Sequence, residues 1–117
     1  MSTSTPGSGT PSIPLTAEQR TAYEALNDKN EAAIQGTTDV DLLKTLNDTQ
    51  LNIGNLLSAD DQYHIQQDTA QFKALLTAIS TTNDGLKDLK KKIAGVATKI
   101  SIFGDVLAAV NKVLTLV

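Results

Sequence analysis

Cysteine and tryptophan are absent, and only two tyrosines and two phenylalanines occur in 117 residues. Without cysteine the chain can form no disulfide framework, no thiolate nucleophile and no cysteine-bound zinc site. With aromatic residues at 3 %, the apolar mass comes from Ala, Leu, Ile and Val, which suits helix faces better than sheets. All three prolines, Pro6, Pro11 and Pro14, fall within the first fourteen residues. No long uncharged apolar run is present: the stretch from Ile100 to Val117 is broken by Asp105 and Lys112 and is too short and too charged for a confident membrane span. The N-terminus lacks a basic region followed by an apolar run, so the expected compartment is the cytoplasm, with export by a route that needs no such signal left open.

Chemistry-bearing motifs are equally scarce. There is no Gly-rich phosphate loop, no serine nucleophile elbow and no His-Glu-x-x-His pair. The one histidine, His64, shares an i, i+4, i+8 spacing with Asp60 and Asp68, but ligands on successive turns span about 12 Å along a helix axis, too far for all three to meet at one ion. A local carboxylate–histidine contact is the preferred interpretation. The sequence therefore indicates no catalytic residue, metal, cofactor or small-molecule substrate, and points away from an enzyme.

What is present is helix-forming sequence. Residues 1–15, rich in Ser, Thr, Gly and Pro, have too little apolar surface to order themselves, and are expected to be a disordered tail ahead of one domain over 16–117. Thr16 and Gln19 have the spacing of a capping box, followed by a first helix over 17–35 with a thin stripe of Ala22, Tyr23, Leu26, Ala33 and Ile34 that Asn30 interrupts. A second helix over 39–57 follows from Leu42, Leu46, Thr49, Ile53 and Leu56, capped by Thr38 or Asp39. Ser58 and Asp61 read as the cap of a third helix over 59–82.

The strongest pattern runs from Ile65 through Phe72, Leu75, Ile79, Leu86, Leu89, Ile93, Val96, Ile100, Phe103, Leu107, Val110, Leu114 and Val117 at alternating steps of three and four. Such a register marks helices packed at the shallow angle of bundles. Asp68 and Thr82 are polar on that stripe. For Asp68 this suggests the end of the buried seam, a pairing with Lys73 or Lys112, or a register-selecting polar position like Asn30 and Thr82. Thr81-Thr82-Asn83-Asp84-Gly85 combines five poor helix formers and favours a turn. The predicted fold is thus all-α, an up-down-up-down four-helix bundle ending in a long helix over 85–117. The alternative is a three-helix arrangement whose single long C-terminal helix oligomerises.

Charge is uneven. Residues 1–84 carry eleven acidic and four basic side chains, and residues 85–117 carry two acidic and six basic. Placed at the start of a fourth helix, Lys87, Lys90, Lys91 and Lys92 would oppose its dipole, and Asp28, Glu31, Asp39 and Asp41 are the expected internal partners. The same lysines are the candidate anionic-surface residues. A nucleic-acid partner is disfavoured by a pI near 4.9 and by the lack of aromatics among the lysines. The expected function is a helical interaction protein that binds a protein partner or itself through its apolar C-terminal helix, with Ile102, Val106, Val113 and Leu116, off the main stripe, as contact residues. The alternative is an amphipathic 85–117 helix seated at an anionic membrane surface.

Overall fold

The computed structural model describes residues 14–96 and 100–116. Most of the expected disordered tail, residues 1–13, lies outside them. Among the described residues the chain forms four helices and no strand: α1 (Ala17–Gly36), α2 (Val40–Ile65), α3 (Thr69–Ile93) and α4 (Ser101–Leu116). Each helix packs on its neighbours around a ring, α1 on α2, α2 on α3, α3 on α4 and α4 back on α1, in a body of 46 × 24 × 19 Å. This is the up-down-up-down arrangement, with α2–α3 the closest pair and α3–α4 the most loosely packed.

The start signals of α1 and α2 operate as the sequence implies. The Thr16 hydroxyl accepts from the Gln19 backbone N–H while the Gln19 side chain accepts from the Thr16 N–H, a complete capping box. Asp39 accepts from the N–H groups of Asp41 and Leu42. α1 is less peripheral than its thin stripe implies, because Tyr23, Leu26, Asn30 and Ala33 are fully buried between α2 and α4.

The remaining boundaries fall elsewhere. No helix starts at Ser58: α2 continues to Ile65, since Leu56 and Asp60 both lie on its buried face. The reversal comes at 66–68, where Asp68 caps α3 by accepting from the Gln71 N–H at 2.8 Å. Asp68 is exposed, holds no seam position and pairs with neither Lys73 nor Lys112. Hydrogen bonds from the Gln71 backbone and the Gln66 side chain hold its carboxyl below the usual range.

Residues 81–85 do not turn but continue α3, because tertiary contacts outweigh their poor propensity. Thr82 donates to the Asn52 carbonyl at 3.1 Å, and the Asn83 amide oxygen accepts from the Tyr23 hydroxyl at 2.7 Å across the core. At Gly85 an added Cβ would lie 3.1 Å from the Asn52 amide nitrogen, so the missing side chain lets α2 approach. The second turn is at Ala94–Val96, and α4 is the shortest helix rather than the longest.

Moving that turn rotates α4 in part. Phe103 and Val110 stay buried on the heptad stripe, while Val106 and Val113 take the core places expected for Leu107 and Leu114, which pack half-buried on the flank.

Burial pushes the Tyr23 phenol up to about 12, against which the Asn83 hydrogen bond acts only weakly. The neutral phenol is thus favoured in the folded state. Its stabilisation is complete below the ordinary phenol value near pH 10 and is lost as pH rises from there towards 12. Tyr23→Phe should cost about 1 kcal/mol at pH 7 by leaving Asn83 unpaired, and should lose less stability than the parent between pH 10 and 12. Urea unfolding midpoints across that range check both signs.

Candidate interaction site

A buried ion pair fixes the end of the bundle where α1 begins and α2 ends. Asp60, with no exposed side chain, accepts from Arg20 at 2.8 Å and from the Leu15 backbone N–H at 3.0 Å. Arg20 also reaches Asp61 at 2.9 Å and Glu24 at 3.2 Å. Burial pulls the guanidinium down, but the hydrogen bonds to Asp60, Asp61 and Glu24 outweigh it and leave Arg20 above its ordinary value. His64 stands 3.5 Å from Asp60, the local contact its spacing suggested, while Asp68 has left that face for the cap. Gln19 completes the end by donating to the Leu116 carbonyl at 2.9 Å. Among the described residues no group of three or more His, Cys, Asp or Glu is placed to hold a metal ion.

Two further polar contacts hold α1 and α3 to α2. The buried Asn30 amide donates to the Leu46 carbonyl and to Gln50, both at 2.8 Å. Lys92 donates to the Thr45 hydroxyl at 2.9 Å and approaches Asp88 at 3.7 Å. Asn30 and Thr82 therefore act between helices, as polar groups on a seam can.

The lysines sit otherwise than expected. Lys90, Lys91 and Lys92 lie in the last turn of α3, where the helix dipole favours positive charge, so the anticipated conflict with a helix start does not arise. The end of α3 does lie beside the start of α2. Yet among the described residues Lys87, Lys90 and Lys91 form no ion pair, with Asp28, Glu31, Asp39, Asp41 or any other acid.

The four C-terminal candidates divide. Val106 and Val113 are buried in the core, so they are unavailable to a partner while the bundle is closed; the shifted α4 register placed them there. Ile102 and Leu116 are half-buried on the flank facing α1, Ile102 beside Gly36 and Leu116 at Gln19. Leu107 and Leu114 occupy the opposite flank, facing α3. On α3, Ala74, Ala78, Gly85 and Lys92 face α2, and Phe72 and Leu76 are each 40 % exposed. Phe72 also meets Tyr63 edge-to-face, with centroids 6.2 Å apart.

Phe72, Leu76, Leu107 and Leu114 are thus the incompletely buried apolar residues of α3 and of the α4 flank away from α1, and α3–α4 is the most loosely packed pair of neighbours. Periodicity placed Phe72, Leu107 and Leu114 on the buried stripe, and it did not single out Leu76.

No helix among the described residues is long and apolar enough to cross a membrane. No protein-family model, curated protein or solved structure matches the chain, so what it does must be argued from its own residues.

Replacing Arg20 with Ala would strand a buried carboxylate and should cost about 3 kcal/mol, while Asp60→Asn keeps an acceptor for Leu15 and frees Arg20 for Asp61 and Glu24, costing about 1–2 kcal/mol. Equal losses in chemical denaturation would contradict this asymmetry.

Proposed function

We propose that this chain is a non-enzymatic helical interaction protein that binds itself or a protein partner through its apolar C-terminal helix. The observation that carries the proposal is the width of the α4 apolar arc. It buries Phe103, Val106, Val110 and Val113 and carries Leu107 and Leu114 half-buried on one flank, while Phe72 and Leu76 on α3 are each 40 % exposed. Apolar side chains left incompletely buried on the most loosely packed pair of neighbouring helices are what a helix partner would cover. The contact residues move accordingly, from Val106 and Val113 to Leu107 and Leu114.

A second proposal, contact with an anionic membrane surface, is supported by Lys87 and Lys90 on the seam side of α3. Lysines beside apolar side chains are the composition of interfacial helices.

Equilibrium sedimentation tests the leading proposal. The protein is expected to show a mass of at least twice 12.4 kDa at micromolar concentration, and Leu107→Gln with Leu114→Gln should return it to the monomer while retaining helical content. A monomer at every concentration that also ignores anionic vesicles would overturn self-association and the membrane alternative together.

A further inference from the structure

We infer that the interface between α1 and α2 holds a single ordered water, bound between the side-chain oxygens of Asn27 and Asn30. The inference is independent of the self-association proposed above, since it concerns the inside of one bundle.

Asn30 stands in the buried stripe of α1, among positions that apolar residues otherwise fill, and it has no exposed surface. Both hydrogens of its amide group are used: Nδ2 donates to the Leu46 carbonyl and to Gln50 Oε1, each at 2.8 Å. Those two bonds fix which way the amide faces, because reversing it would set its oxygen against two acceptors. The oxygen is therefore held in one direction. There it is buried and accepts no hydrogen bond from any described residue.

Asn27 repeats the arrangement one turn earlier. Seven residues after Arg20, it lies within about 20° of the edge of α1 from which Arg20 reaches Asp60 of α2. The residue as a whole is half-buried, so its amide has solvent within reach, yet its oxygen is buried and likewise has no donor among the described residues. Two buried acceptors on adjacent turns of one helix, at one interface, thus share a need for donors that the described chain does not meet.

The spacing and the number of these oxygens identify the donor. Residues three apart on a helix have Cβ atoms about 5–6 Å apart, and a molecule hydrogen-bonded to both oxygens at ~2.8 Å spans the same range. Water supplies two hydrogens for two acceptors and fits a polar site of this kind. A calcium or magnesium ion takes about six or more oxygens, and among the described residues no group of three or more His, Cys, Asp or Glu is placed to hold one. An apolar filler would leave both acceptors unpaired.

Access comes from α2. Since Arg20 meets Asp60 and Asn30 meets Gln50, Asn27 lies level with the turn from Gln50 to Gly54. A Cβ added at Gly54 would meet nothing within 4 Å, so the helix surface one turn from Gln50 is open. With the water in place both ends of the Asn30 amide are paired. The polar residue that interrupts the α1 stripe then joins α1 to α2 without leaving a buried atom unmatched.

Nuclear Overhauser spectra between water and the isotope-labelled whole chain test the site. The Asn30 side-chain amide protons are expected to give cross-peaks to water with the sign of a long-lived bound molecule in both laboratory-frame and rotating-frame spectra, which separates them from proton exchange. Asn27→Leu, which removes one of the two acceptors, is expected to abolish those peaks while backbone amide shifts away from the α1–α2 interface stay in place. Absence of the Asn30 peaks in the parent protein would overturn the inference. Peaks that persist undiminished in the Asn27→Leu variant would do the same, since one acceptor would then suffice. An anomalous-scattering peak between the two oxygens in crystals grown with rubidium in place of sodium would assign the site to a monovalent cation and equally overturn it.

Discussion

Three contacts in the middle of α3 determine where this chain reverses. Thr82 bonds to the α2 backbone at Asn52, Asn83 receives the Tyr23 hydroxyl from across the core, and Gly85 leaves room for the Asn52 side chain. Each uses a residue that disfavours helix in isolation, and each is available only if the helix runs straight through it. Were the chain to turn at 81–85, the buried Tyr23 phenol and the α2–α3 contact would both lose their partners, at about 1–3 kcal/mol for each buried polar group left unpaired, and Leu86, Leu89 and Ile93 would lose their places in the core; together these offset the ~0.5–1 kcal/mol that intrinsic propensity withholds at each position.

From that constraint the rest of the architecture follows. A continuous α3 moves the reversals to 66–68 and to the turn at Ala94–Val96, puts Asp68 at a helix start, and brings Lys90, Lys91 and Lys92 to a helix end, where the dipole supports them. It also shortens α4 to sixteen residues and rotates its register. The bundle then consists of a close α2–α3 hairpin and an α1–α4 pair, joined at α1–α2 and only loosely at α3–α4. The Arg20–Asp60 pair secures the well-joined side, and the loose side is where apolar and basic side chains are left together.

Much of this was legible in the sequence and some was not, for identifiable reasons. The all-helical class, the capping box at Thr16, the Asp39 cap and the core stripe of α2 and α3 are local or periodic features, and these are what spacing reports. The sense of Thr81–Gly85 was not legible, because turn and helix differ there through Tyr23 and Asn52, which lie about sixty and thirty residues away. Ser58 and Asp61 have the spacing of a cap but sit inside α2, where Asp61 serves Arg20 instead. The exchange of Val106 and Val113 for Leu107 and Leu114 had the same origin: a heptad read across a connection assumes that the connection preserves phase.

Amide hydrogen exchange over residues 81–85 tests the central constraint most directly. Protection there should match that of Leu75 to Ile79, with fast exchange confined in this part of the chain to the reversal at 66–68. Unprotected amides from Thr81 to Gly85, beside slow exchange through 66–68, would contradict the unbroken α3 on which the seam, its lysines and the placement of α4 depend.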